Sequence, residues 1–359
     1  MPTEFNIQKV LVAPLDWGLG HATRCIPIIK ALMQNGYEVL IATDGVQKIL
    51  LQKEFPQLQF LALKGYNVSY SKRKWLLPFK LLMQVPEIVA TIKNENLWLD
   101  KIIDEHQINI VISDNRFGLY SPKAKCIFIT HQLTIKAPFN LLQQLLQKIN
   151  YSFINRFASC WIPDVAGEQN VAGILSHPLL LPKIPVHYVG LLSRFEKEND
   201  VEKKYDYCIV LSGPEPQRTI LEKLVLNNID QLEGDVLLVR GMPGNNEVLS
   251  LPSNVLVKNH LSGNELQQAL QQSETIISRS GYTTVMEILA LQEKSILIPT
   301  PGQTEQEYLA ERLMNQQWCF AIKQSTFDLI DCTKKAKKFS YKQATLSLFN
   351  KEKLQQILL

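Results

Sequence analysis

Residues 275–308 read T-I-I-S-R-S-G-Y-T-T-V-M-E-I-L-A-L-Q-E-K-S-I-L-I-P-T-P-G-Q-T-E-Q-E-Y. Thr275 to Ser278 is a short strand signal, and Arg279-Ser280-Gly281 a turn. Tyr282 to Leu291 carries Val285, Ile288 and Leu289 at helical spacing, with Glu287 off that face. Ser295 to Pro299 is a second apolar strand, Thr300 to Thr304 a Pro/Gly loop, and a polar helix opens near Glu305. The pattern predicts a βαβ unit with two successive loops at the carboxyl ends of its strands. Ligands bind at that edge in open α/β sheets.

The first loop has the chemistry of an anion seat. Gly281 carries no Cβ, so a ligand can approach its backbone. The N–H groups and dipole of the following helix favour a negative group. Ser280 and Thr283 add hydroxyls, Arg279 adds charge, and Glu287 is a carboxylate that ribose hydroxyls can reach. A glycine turn followed by a surface Glu has the same letters, so both readings stand at this point.

Working outward, the 359 residues suffice for two domains, and 46% hydrophobic with 20% charged content marks a soluble globular chain. A net charge of +4 without a basic-aromatic motif gives no sign of nucleic-acid binding. The cysteines Cys25, Cys126, Cys160, Cys208, Cys319 and Cys332 form no C-x-x-C pair, so reduced thiols and a cytoplasmic setting are expected. The polar start, Met1 to Gln8, enters a strand directly, and neither a leader nor a membrane span is expected.

Strands are expected at 9–13, 37–42, 58–63, 108–113, 125–130 and 159–163, and helices at 22–35, 46–54, 97–105 and 138–157. Pro14 to His21 reads as a glycine loop. Gly65 to Val89 interrupts the alternation. After a Pro-rich and polar stretch the second half repeats the logic, with strands at 207–211, 235–239 and 254–257 before the quoted stretch. The expected organisation is an α/β domain over 1–175, a linker region over 176–204, a second α/β domain over 205–335 and a helical tail over 336–359, for which a return onto the first domain is open. The fold class is α/β, two Rossmann-like doubly wound parallel-sheet domains facing a cleft.

Ser278-Arg279-Ser280-Gly281, Thr284, Glu287, Pro299 and Gln306-Glu307-Tyr308 together resemble the nucleotide-sugar signature of GT-B glycosyltransferases. The likeness runs to the branch holding the N-acetylglucosaminyltransferase of the lipid-linked peptidoglycan precursor. Gly18-Leu19-Gly20-His21 resembles that group's first glycine loop, and Ser212-Gly213-Pro214 stands where it has a Gly-Gly-Ser type loop. The resemblance implies a UDP-sugar donor as co-substrate, no cofactor, and an acceptor of unknown identity that is lipid-linked in the relatives. Ser280, Gly281, Ser212 and Gly213 would meet the diphosphate, with Gly18 and Gly20 in the other glycine loop. Glu287 would bind the ribose, His260 and Leu261 the uracil edge, and Gln303, Gln306 and Glu307 the sugar. Glu307 departs from the amide found there in the family, which leaves the donor sugar open.

Transfer needs a base for the acceptor hydroxyl. His21 is the candidate, with Asp16 in the same loop to orient it; a turn histidine bound to backbone is the alternative. Asp114 and His131 end neighbouring strands and are further candidates for base or acceptor contact. No D-x-D pair is present, so a carboxylate-held metal is not expected, and Arg279 with the helix N-terminus would stabilise the leaving group. Three other functions stay open: a dehydrogenase, on Gly18-x-Gly20 and Asp44 but lacking the third glycine at Thr23; a nucleotide-sugar epimerase or hydrolase; and a non-catalytic nucleotide-sugar sensor. Lys72, Arg73, Lys74 and Lys80 lie among Trp75, Leu76, Leu77, Phe79, Leu81 and Leu82, and Lys136 to Arg156 repeats the mixture on a helix. Such segments are either a packed core face with a solvated cationic rim or a surface for an anionic membrane on the cytoplasmic side.

Overall fold

A computed structural model describes residues 7–66, 77–135 and 139–358. The chain divides into two compact units, Met1–Arg194 with Ser347–Leu359, and Phe195–Leu346. The cations at 72–74 and Lys136 lie outside the described residues.

The first unit is built on β1 (Lys9–Pro14), β2 (Glu38–Ala42), β3 (Gln59–Leu61), β4 (Ile110–Asp114), β5 (Lys125–Ile129), β6 (Ser159–Ile162) and β7 (Val186–Tyr188). These pair in the order β3-β2-β1-β4-β5-β6-β7, every pair parallel. Val10, Leu11, Val12 and Ala13 are fully buried, because a central parallel strand is covered on both faces and reads as a continuous apolar run. The crossovers are α1 (Leu19–Gln34), α2 (Gly45–Glu54), α3 (Leu77–His106) and α4 (Asn140–Ile154). β7 falls inside the stretch expected as a linker and closes this sheet instead.

Two elements differ from the sequence reading. Helix α1 begins at Leu19, three residues before its expected start, so Gly20 and His21 stand in its first turn. Gly18 takes φ 77°, which turns the chain straight into the helix, and Gln47 Nε2 donates to its carbonyl at 2.7 Å. The expected interruption at 65–89 is also smaller than it reads: α3 runs unbroken from Leu77, with Pro86 inside it. Ile92, Glu95, Leu99 and Ile103 line its buried side.

The second unit holds β8 (Tyr205–Val210), β9 (Val236–Val239), β10 (Val255–Lys258), β11 (Ser273–Ser278), β12 (Ser295–Leu297) and β13 (Phe320–Ala321), ordered β10-β9-β8-β11-β12-β13 and all parallel. Its helices are α5 (Gln217–Leu226), α6 (Gly263–Gln271), α7 (Tyr282–Leu291), α8 (Thr304–Asn315) and α9 (Leu329–Lys337). The quoted stretch folds as β11-α7-β12-α8, as its periodicity predicts. Glu287 is the departure: it is 6% exposed, inside the packed face of α7 rather than off it.

Helix α10 (Lys351–Leu358) belongs to the first unit. Leu354 is fully buried, Gln355 Nε2 donates to Asn35 Oδ1 at 2.6 Å, and Leu191 bridges to Leu348. The tail thus packs against the end of α1.

Candidate active site

In each sheet the strand order reverses at one point, between β1 and β4 and between β8 and β11. Helices leave in opposite directions there and open a crevice at the carboxyl ends of the strands. The candidate residues of each unit gather at that edge.

In the first unit, α1 starts just past β1 and carries His21 and Arg24 one turn apart toward the end of β4. Asp114, the last residue of β4, is fully buried and receives both. His21 Nδ1 lies 3.0 Å from Asp114 Oδ2. Arg24 grips the same carboxylate with two bonds, Nε to Oδ2 at 2.8 Å and Nη2 to Oδ1. Arg24 also brings Nη1 to 3.1 Å from His131 Nδ1 and Nη2 to 2.8 Å from His21 Nδ1. Side-chain exposure is 13% for His21, 2% for Arg24 and nil for Asp114.

The electrostatics follow from that packing. Burial alone would raise the Asp114 carboxyl, but Arg24 and then His21 outweigh it and hold it down at about 2. Burial lowers the His21 imidazole below 6.5, the Arg24 cation lowers it further, and Asp114 opposes both. The result is an ionised carboxylate behind a largely neutral imidazole. Both polar contacts of His21 run through Nδ1, leaving Nε2 without a partner among the described residues. With the proton on Nδ1 and directed at Asp114, Nε2 presents a lone pair.

Asp16 does not orient His21. Its Oδ1 accepts from Tyr66 N at 3.1 Å, and a Cβ on Gly65 would sit 1.7 Å from its Oδ2. The carboxylate closes onto the loop after β3, and Asp114 takes the orienting position. Arg24 escaped the sequence reading because a lone Arg in an amphipathic helix looks like a surface cation. The signal was its i, i+3 spacing from His21.

In the second unit the loops after β8, β11 and β12 lie side by side. Ser280 Oγ donates to the Gln306 carbonyl at 2.9 Å. Thr300 N donates to Gln306 Oε1 at 2.9 Å and Gly302 N to Glu307 Oε1 at 3.0 Å. Gln306 and Glu307 thereby fasten the loop after β12, and Gln303 accepts from the Gln306 amide. Gly281, at φ −65°, is the N-cap of α7. A Cβ there would meet only Thr284 Oγ1, at 4.0 Å, so the space above it is open. Gly213 at φ 99° needs the left-handed region; a Cβ on it would lie 4.0 Å from Thr300 Oγ1, and that hydroxyl is buried with no partner among the described residues. Ser212 is half-buried, Leu261 half-buried beside β10, and His260 exposed.

Arg279 is not the exposed cation its place in the turn suggests. It is 1% exposed. Its Nη1 donates to the carbonyls of Ile298 and Pro299, both at 3.3 Å, and Nη2 to that of Gln217 at 2.8 Å. Burial lowers its pKa to about 10. The guanidinium ties the end of β12 to the start of α5 and shapes the loops from beneath.

Two parallel Rossmann-like sheets, each with its polar residues at the switch-point edge, give the GT-B architecture, and the sequence likenesses make the chain a glycosyltransferase. Residues 216–357 match the glycosyltransferase family 28 C-terminal domain. The UDP-N-acetylglucosamine–N-acetylmuramyl-(pentapeptide) pyrophosphoryl-undecaprenol N-acetylglucosamine transferase of Clostridium tetani is 24% identical over 299 residues, covering 82% of this chain and 78% of its own. An uncharacterised glycosyltransferase of Methanosarcina acetivorans is 23% identical over 324 residues, 84% of this chain and 82% of its own. The glycosyltransferase SsfS6 of Streptomyces sp. SF2575, complexed with thymidine diphosphate, shares the fold with a TM-score of 0.59 at 12% identity, covering 98% of this chain and 99% of that one.

Proposed function

We propose that this chain transfers a sugar from a UDP-sugar, without a metal and with inversion, to the hydroxyl of a lipid-linked or membrane-presented acceptor. The observation that carries the reading is the His21–Asp114 pair at the first switch point. Nε2 of His21 takes the acceptor proton as that oxygen attacks the anomeric carbon. The bond from that carbon to the diphosphate breaks, and UDP leaves with the pair of electrons. Asp114 stabilises the imidazolium that forms. In the second unit the N-terminus of α7 at Gly281, with Ser280 and Ser212-Gly213, supplies donors for the departing diphosphate. Glu287 is the ribose ligand, and His260 and Leu261 take the base. No D-x-D pair occurs in the sequence.

The acceptor class is supported by the named activity of the Clostridium relative and by α4. Leu141, Leu145 and Ile149 recur along one side of that helix at 82%, 55% and 45% exposure, beside exposed Lys148. Tyr151 Oη donates at 2.6 Å to Leu180 in the equally exposed 179–181 loop, which extends the apolar surface. No helix among the described residues is long and apolar enough to cross a membrane. Apolar side chains with cations beside them suit adsorption to an anionic leaflet from the cytoplasmic side.

Calorimetry with UDP, TDP, GDP and NADH in EDTA tests the donor reading: UDP binds best, and strict metal dependence or preference for NADH overturns it. TDP is the runner-up, on the thymidine diphosphate complex of the Streptomyces neighbour. Co-sedimentation with anionic liposomes tests the surface: binding falls with salt and on joint neutralisation of Lys72, Arg73 and Lys74. No binding at low salt points to a soluble acceptor.

A further inference from the structure

Nδ1 of His21 has two neighbours that ask opposite things of it. Asp114 Oδ2, at 3.0 Å, accepts only and requires a proton on Nδ1. Arg24 Nη2, at 2.8 Å, donates only and requires Nδ1 bare. With the proton on Nδ1, Nε2 is a base; with Arg24 donating to Nδ1, the proton moves to Nε2 and the base is blocked. Arg24 reaches Asp114 through both oxygens and His131 through Nη1, so one guanidinium touches every polar member of the cluster.

We propose that Arg24 is a positioning residue for transfer: it fixes the Asp114 carboxylate in the plane that orients His21 and, by its charge against Nδ1, keeps that imidazole unprotonated between turnovers. This rests on His21 being the base. The groups facing His21 within the unit are Arg24 from α1, Asp114 from β4 and His131 from the end of β5, with the Cys25 thiol 3.9 Å from Asp114. Without Arg24, the carboxylate stands alone beside Nδ1. Asp114 draws a second proton onto His21, and the imidazolium it stabilises cannot accept one from an acceptor hydroxyl. The guanidinium also cancels the carboxylate charge, so Arg24, Asp114 and His21 together are near neutral at rest and gain one positive charge only when the acceptor is deprotonated. The fork is what a lysine cannot copy, since one ammonium cannot hold two oxygens in plane and face a ring nitrogen at once.

The test is Arg24→Gln and Arg24→Lys, read by NMR titration of the His21 ring in the unliganded protein and by the pH profile of kcat/KM from UDP release. In Arg24→Gln the His21 titration and the acid limb of the profile both move up by about one pH unit or more. In Arg24→Lys the titration stays near the wild-type position while kcat falls about 10- to 100-fold, because charge is kept and geometry is lost. Calorimetric UDP affinity changes less than twofold in both. An unmoved His21 titration in Arg24→Gln overturns the inference. If that variant does not fold, an unchanged kcat in Arg24→Lys does so alone. His21→Ala separates the two readings: if it keeps turnover, the base assignment fails; if it abolishes turnover while the Arg24 variants behave as wild type, only the role of Arg24 falls.

Discussion

Asp114→Asn is the sharpest probe of the first unit. The carboxylate is fully buried, accepts two bonds from a guanidinium that is 2% exposed, and faces His21. The amide keeps the shape but removes the charge and points a donor at Arg24. An uncompensated buried cation costs about 3–5 kcal/mol, against a domain stability of about 5–15 kcal/mol. The pH dependence gives a second handle. The folded pKa is about 2 and the ordinary value 3.8, a difference that contributes about 2 kcal/mol. Because the folded value is the lower, this contribution is complete above the ordinary value and is lost as pH falls through the folded one. The variant loses that acid sensitivity along with the stability. The two units can unfold separately, so the assay is hydrogen exchange in peptides spanning Lys9–Pro14 and Ile110–Asp114, at pH 7 and in acid. A loss below about 1 kcal/mol at pH 7 refutes the reasoning, as does an acid dependence identical to wild type.

His21→Ala lowers kcat by about 100-fold or more, the range for a general base, and leaves calorimetric UDP affinity unchanged; loss of UDP binding would contradict the role. Glu287→Gln, which preserves the packing of a residue 6% exposed, weakens UDP binding about tenfold, because ribose hydroxyls lose an ionised acceptor; unchanged affinity removes it from the ribose site. Gly241→Ala destabilises the second unit by about 1–3 kcal/mol. Its φ is 68° and a Cβ would lie 2.3 Å from the Leu211 carbonyl, so exchange in Val236–Val239 should accelerate.

Periodicity carried much of this protein. Runs such as Val10–Ala13 and Ile276–Ile277 are legible because a parallel strand buries both faces, and α7 because its apolar residues recur at 3.6. Where strands are legible, their carboxyl ends are too, so Asp114, His131, Ser212 and Ser280 could be named as edge residues from local letters. The turn after β1 was less legible: the left-handed Gly18 moves the helix start and places His21 on α1.

Tertiary structure decided the partners. Asp16 is five residues from His21 and Asp114 is ninety-three, yet parallel pairing of β1 with β4 brings the distant carboxylate to the ring and leaves the near one on the loop after β3. Arg24, Glu95, Arg279 and Glu287 are charged side chains, and all four are buried. A charge enters an interior only where specific partners replace its water. For Arg24 that partner is the carboxylate at the end of β4; for Arg279 it is the carbonyls just past β12 and at the start of α5. Composition and spacing record which residues are apolar, but whether a charge has such partners depends on contacts made across tens of residues, which exist only once the sheet has formed.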